Sequence, residues 1–309
     1  MEYCIYGTVF NNVFTLEESI KSFWRPDAVI VITDNFSTDG TWGKLESLRK
    51  EYNILLYRYK SNRGQGRNYS LLHCPDSTFT AYVDLDTRYN EAFHKLLEWT
   101  PKDNITYTYN FLGLKKEAFI KRGGWRKLNM AEDVEAVSRV GFDYFAPVAI
   151  KENLFRGGQR EKRYSRGLRY YIRRFNNIVD DIRGNGLYWK EISIYHKKKY
   201  LMLPFYIFAR LKGIYRYGEL GNRIKLTTES LEKIIDPKEI SIDDSYFFFA
   251  IPKSEYEIVK NVDEILKTKF STLKEILCND RLIIYVKNEE GLKRALLASN
   301  SMNLECKET

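Results

Sequence analysis

The sequence predicts an α/β fold, a mostly parallel sheet with helices on both faces. Three observations carry that expectation. Strand-like and helix-like runs alternate through the first 145 residues, the order that favours parallel pairing. The run Ala28 to Thr33 (AVIVIT) is almost wholly apolar, as a strand covered on both faces must be. Carboxylates, amides and an arginine gather just after the strand-like runs, where open α/β sheets bind ligands.

Each element has its own warrant. Tyr3 to Val9 reads as a short apolar strand, ending near Thr8-Val9-Phe10-Asn11-Asn12. Leu16, Ile20 and Phe23 fall on one helix face. The AVIVIT strand ends in Asp34-Asn35-Phe36-Ser37, and Thr41 to Tyr52 reads as a helix opened by Asp39-Gly40. Ser37, Thr38 or Asp39 could each cap that helix. Ile54 to Tyr59 is a third strand, Gly66 to His73 a helix, and Phe79 to Val83 a fourth strand running into Asp84-Leu85-Asp86. Glu132 to Val140 has helical spacing at Val134, Val137 and Val140, with Glu132 and Asp133 in its first turn. A helix dipole stabilises an ionised carboxylate there. The expected organisation is a nucleotide-binding domain over 1–155, a basic aromatic helical segment over 156–226 and a small acidic α/β module over 227–309.

The chain has 309 residues, 44% of them hydrophobic and 29% charged, with 18 Gly and 7 Pro. This excludes a largely disordered or collagen-like chain. Cys4, Cys74, Cys278 and Cys306 are too scattered for a zinc ribbon or a disulfide scaffold, so reduced thiols are the default. The longest apolar stretch, Tyr200 to Ala209, is ten residues; a spanning helix needs about 20. With no signal-like N-terminus, the expectation is a cytoplasmic protein that would meet the inner membrane only at its surface.

The net charge of +9 is uneven. Residues 227–309 hold 12 Lys/Arg and 16 Asp/Glu, and the first 226 hold 38 and 25. The stretch Arg156 to Arg174 carries eight cations against Glu161, which suits an anionic partner. Tyr195 to Tyr217 mixes Lys and Arg with Tyr, Phe and Leu. It would either lie on an anionic membrane surface or pack inward with its cations snorkelling out.

Two motifs point to phosphate chemistry. Asp84 and Asp86, two apart on extended chain, share one side. Adjacent carboxylates repel unless a cation sits between them, and Mg²⁺ or Mn²⁺ commonly share such oxygens with substrate phosphates. Arg63-Gly64-Gln65-Gly66-Arg67-Asn68 opens a helix and could present N–H groups to phosphate, although it is not a Walker A loop.

These blocks resemble the family 2 glycosyltransferases, of GT-A fold, over roughly residues 1–145. The matching segments are TVFNN, AVIVITDNFSTDGT, NRGQGRNYSL, AYVDLDTRYNEAF and FIKRGGWRKLNMAEDVEAVSRV. The resemblance implies an inverting transfer of sugar from a nucleotide-diphosphate donor to an acceptor hydroxyl. Asp86 would hold Mn²⁺ or Mg²⁺ with Asp84, which also positions the ribose. Thr8, Phe10, Asp34 and Asn35 would line the nucleoside pocket, with Arg67 near the diphosphate. Asp133 would be the general base, with Glu132 and Trp125 on the acceptor side. Arg160 and Arg163, within QREKRY, would contact phosphate. Asn35 departs from the family's usual Asp, which accepts from uracil N3–H; the amide adds donors. A UDP-sugar is favoured and a GDP-sugar is possible. The competing classes are a nucleotidyltransferase of related fold and a non-enzymatic basic protein binding nucleic acid or an anionic surface. The first lacks its glycine-rich lysine loop. The second leaves three acids opposing a phosphate backbone, so nucleic acid is the less expected partner.

Overall fold

The computed structural model describes residues 1–100, 102–108, 111–141, 144–145, 151–154, 167–190, 192, 199–215, 249–252, 274–278, 282–286, 289, 292–293 and 306–308. Its first half is the expected doubly wound unit. The strands β1 (Tyr3–Val9), β2 (Ala28–Asp34), β3 (Ile54–Arg58) and β4 (Phe79–Asp84) alternate with α1 (Leu16–Phe23), α2 (Thr41–Leu48) and α3 (Arg63–Leu72). All four strands pair in parallel. All seven residues of β2 are buried, whereas β3 ends on an exposed Arg58 at the sheet edge. Leu16, Ile20 and Phe23 of α1 are fully buried, as their spacing predicts.

Next along the chain come β5 (Thr87–Tyr89), α4 (Glu91–Trp99), β6 (Thr106–Thr108), β7 (Phe111–Lys115), α5 (Lys116–Lys121), α6 (Glu132–Val140), β8 (Tyr144–Phe145) and β9 (Lys151–Asn153). The main sheet runs β3-β2-β1-β4-β7-β6-β8, and β5 pairs with β9 in a separate ribbon. The chain adds β2 and β3 on one side of β1, then crosses to place β4 on the other. That reversal opens a crevice at the carboxyl ends of β1 and β4, the expected ligand position. Gly7 permits the two strands to lie this close, since a Cβ there would come 2.7 Å from the Val83 carbonyl oxygen.

Several boundaries differ from the sequence reading, each for a local reason. The third helix starts at Arg63, not Gly66, because Asn62 and Gln65 form a reciprocal capping box. The segment expected as a loop is therefore the helix's first turn. The second helix stops at Leu48, short of Tyr52, as the Lys50 N–H turns back to the Ser47 carbonyl. Asp39 serves its N-terminus, accepting from the Thr41 N–H at 3.0 Å. On α6 the buried side holds Ala136, Val137 and Val140, but also Glu132 and Glu135, while Val134 is only half-buried.

The cysteine expectation is corrected. Cys4 on β1 and Cys74 beyond α3 form a disulfide, with Cα atoms 5.8 Å apart. Cys278 and Cys306 stand opposite each other in a strand register. Their strands belong to a four-stranded antiparallel sheet of β10 (Phe249–Pro252), β11 (Lys274–Cys278), β12 (Leu282–Val286) and β13 (Cys306–Glu308), in the order β10-β12-β11-β13. All four strands fall within 227–309, the stretch expected as a small α/β module. The rest of that module, save 289 and 292–293, lies outside the described residues.

The basic aromatic region supplies α7 (Leu168–Gly184), a 3-10 turn (Lys199–Met202) and α8 (Leu203–Lys212). The helices pack through a small core of their own around Val179, Ile182, Ile192 and Ala209. Among the described residues, no helix is long and apolar enough to cross a membrane.

Candidate functional site

A cleft opens at the β1/β4 crevice. It is lined by Thr8, Val9, Phe10 and Asn12 after β1, Asn35 after β2, Ser61 to Arg63 at the start of α3, and Asp84, Leu85 and Asp86 after β4. Asn129, Arg173 and Asn177 close it from the other side. Thr8 and Asp84 are register partners across the two strands, so the topology brings the first and last of these motifs together.

The Asp84-Leu85-Asp86 turn is fixed from behind. Leu85 is buried, which forces its neighbours' side chains toward the other side. Its carbonyl accepts from Asn12 Nδ2 at 2.5 Å and Thr15 Oγ1 at 3.2 Å, and Ser19 Oγ donates to the Asp84 carbonyl at 3.3 Å. The Asp84 N–H donates to the Tyr89 hydroxyl at 2.8 Å. Both carboxylates thus sit on a backbone that cannot easily move.

At the end of β2, Asp34 and Asn35 have separate jobs. Asp34 is fully buried; its carboxylate accepts from the Ser37 N–H at 3.1 and 3.2 Å and from Arg58 Nε at 3.2 Å. It builds the turn and does not line the cleft. Asn35 does. Its Oδ1 accepts from the Ser61 N–H at 2.9 Å. A backbone donor identifies that atom as oxygen, so the NH₂ is the edge Asn35 offers the cleft. Beside it, Ser61 Oγ is buried without a hydrogen-bond partner among the described residues.

Arg67 is not in the cleft wall. It is 2% exposed, with Nη2 2.5 Å from Asp84 Oδ1 and Nη1 2.9 Å from Glu132 Oε1. Its guanidinium lies over the rings of Tyr82 (4.4 Å) and Trp125 (5.0 Å). The cations that reach the cleft are Arg63, one helical turn earlier, and Arg173. Trp125 is buried as well, its indole N–H donating to the Tyr6 hydroxyl at 2.9 Å. Glu132 is 1% exposed, and its Oε2 has no hydrogen-bond partner among the described residues. Burial pushes its carboxyl pKa above the ordinary 4.5, against the opposing pull of Arg63 and Arg67. The two residues expected on the acceptor side thus form the floor beneath Arg67.

Asp133 is half-buried on the first turn of α6, its Oδ1 accepting from the Val134 N–H at 3.0 Å. It neighbours the Arg67–Glu132 pair electrostatically but is not among the cleft-lining residues. Arg160 and Arg163 lie outside the described residues.

The sequence reading missed Ser61, Asn129, Arg173 and Asn177 as wall residues. Arg173 and Asn177 are four apart, one turn of α7, inside a stretch noticed only for its charge. Asn129 is held to the same helix by its N–H, which donates to Asp180 Oδ2 at 3.0 Å. Nothing in the local sequence shows that this helix returns to the strand ends.

No family model matches the chain, and no curated protein does. Among solved structures, it is similar to S. aureus TarS at 13% identity and a TM-score of 0.46, over 68% of this chain and 48% of that one. The match thus spans about half of that protein's length. It is also similar to TarS 1-349 in complex with UDP-GlcNAc, at 14% identity and a TM-score of 0.46 over 68% and 79% of the chains. A third similar structure is the mannosyltransferase PcManGT from Pyrobaculum calidifontis in complex with GDP-Man and Mn²⁺. It is 13% identical with a TM-score of 0.46, over 74% and 79% of the chains.

Proposed function

We propose that the chain is a glycosyltransferase that holds a nucleotide-diphosphate sugar in the β1/β4 cleft and transfers the sugar, with inversion, to an acceptor hydroxyl. The observation that carries this reading is the convergence of three groups in one cleft. Asp84 and Asp86 stand on a pinned turn, the cations Arg63 and Arg173 line the same cleft, and Thr8, Asn35 and Ser61 add polar wall beside Phe10. Such a cleft offers a flat apolar surface and hydrogen bonds to a base, cations to a diphosphate, and carboxylates to a metal.

The two carboxylates fit a hard divalent cation. Among the described residues no group of three or more His, Cys, Asp or Glu side chains gathers for a metal. The protein would therefore supply two oxygens' worth of residues, and phosphates and water the rest, the habit of Mg²⁺ and Mn²⁺. Asp86 would be the principal ligand, since Asp84 already shares an oxygen with Arg67. When bound, the cation offsets the charge gathering on the leaving diphosphate. Arg63 and Arg173 add to that effect, Phe10 stacks on the base, and Asp133 takes the acceptor proton as general base.

Calorimetric titration with UDP and GDP, with and without Mn²⁺, tests the donor site. Metal-dependent binding of either is the expected result, and removal of the metal by a chelator should abolish it. Asp86→Asn should lose the metal-dependent part of the affinity, at least tenfold, while thermal unfolding stays where it was. Binding of neither nucleotide would sink the reading.

Base choice should follow Asn35. Asn35→Asp keeps an oxygen for the Ser61 N–H and replaces the NH₂ with an acceptor for uracil N3–H. UDP affinity should rise relative to GDP by roughly three- to tenfold, the worth of one hydrogen bond. An unchanged ratio would show that Asn35 does not meet the base.

A further inference from the structure

The apolar stripe of α7 runs its whole length at helical spacing: Leu168, Tyr171, Ile172, Phe175, Ile178, Val179 and Ile182. Among the described residues, its second half is covered and its first is not. Val179 and Ile182 are buried, and Phe175 and Ile178 pack on the same small core. Leu168, Tyr171 and Ile172 stand exposed, Leu168 at 75%. The partner helix α8 carries apolar side chains on both its packed and its outer side, with Arg210 and Lys212 exposed among them. Phe205, Tyr206 and Ala209 face the core, while Leu203, Ile207, Phe208 and Leu211 face outward, Leu211 at 78%. Tyr200 and Leu201 of the preceding turn are exposed beside them. Exposed apolar side chains with cations beside them are the pattern of a helix that lies in a membrane interface, and the ten residues of α8 are about half of what spanning needs.

The charges around this face point one way. Arg169, Arg174, Lys199, Arg210 and Lys212 belong to its elements. Among the described residues of 167–190 and 199–215 the only carboxylates are Asp180 and Asp181, at the far end of α7. Both are engaged there: Asp180 with Arg183 and the Asn129 N–H, and Asp181 with Asn185. Exposed apolar side chains set among cations, with no acid between them, complement an anionic lipid surface.

We propose that this face, formed by the first half of α7 and the outer side of α8, docks on an anionic bilayer. The helix lies in the headgroup plane with Tyr171, Ile172, Ile207 and Leu211 inserted. On the opposite side of α7, Arg173 and Asn177 line the donor cleft, so docking sets that cleft at the membrane surface. Resting on the glycosyl-transfer reading, this makes the acceptor a membrane-anchored one.

Co-sedimentation of the full chain with vesicles tests this. Phosphatidylcholine–phosphatidylglycerol vesicles should retain the protein and pure phosphatidylcholine should not. The double variant Ile207→Glu/Leu211→Glu changes only exposed positions. It should lose about tenfold or more in partitioning, with thermal unfolding and nucleotide titrations unchanged. Tyr171→Ser/Ile172→Ser should act the same way from the other helix. Wild-type protein that ignores anionic vesicles would overturn the proposal. So would double variants that bind as well as wild type, which would mean charge attraction without insertion. Variants that convert a dimer to a monomer, with no lipid binding, would assign the face to a second copy of the chain. Lipid retention without any nucleotide binding would uphold the docking and overturn the transfer reading alone.

Discussion

Replacing Arg67 with methionine should destabilise the protein by about 3–5 kcal/mol, the cost of breaking a buried ion pair from one side. Arg67 joins three elements at one point: Asp84 at the end of β4, Glu132 at the start of α6, and its own helix α3. Without the guanidinium, Glu132 stays buried with one oxygen lacking a hydrogen bond among the described residues, and the remaining cation, Arg63, is farther at 3.4 Å. A drop in the urea midpoint reads the loss. Glu132→Gln should cost less, because Arg67 keeps Asp84. It should also change the pH profile. The folded-state pKa of Glu132 is raised by burial. Its contribution is therefore fully present below the ordinary 4.5 and lost as pH rises through the raised value. Glu132→Gln should remove that decline. A variant whose stability falls with pH as the wild type's does would show that Glu132 is not the group responsible.

This network also marks how much of the site could be read from the sequence. The doubly wound order, the four strand ends and the pinned aspartates were legible because they follow from local periodicity and one topological rule. AVIVIT allows little but a covered strand, and strand ends in such sheets meet in one crevice. The depth of a side chain was not legible. Arg67 and Arg63 are four apart on one helix, and both look like phosphate ligands in a string of letters. Only packing shows that Arg67 points under the sheet end, between Tyr82 and Trp125, while Arg63 faces the cleft. Asp34 and Asn35 are separated in the same way, one into the turn and one into the wall. The Cys4–Cys74 bond was illegible for a related reason. The two residues are 70 apart in sequence, and the crossover that brings α3 back against β1 has to be known before they can be paired. Arg173 and Asn177 are the extreme case, since their helix is reached through residues whose pattern says only that they are basic.

The second large effect concerns Asp133. Asp133→Asn should leave nucleotide affinity within about twofold of wild type, since Asp133 does not line the cleft. Sugar transfer should fall by roughly 10²–10⁴, the range for loss of a general base. The position supports that role. The carboxylate stands half-buried on the first turn of α6, with its Oδ1 oriented by the Val134 N–H at 3.0 Å. It also adjoins a neighbour suited to a different task. Glu132 is buried and drawn toward its neutral form, so it cannot serve a substrate in solvent, while Asp133, one residue on, is half-exposed. The measurement pairs calorimetry with single-turnover transfer from a radiolabelled donor, so that binding and chemistry are read apart. Loss of both together would make Asp133 a structural residue of the Arg67 network. Transfer at the wild-type rate would remove it from the reaction and leave the acceptor proton to another group.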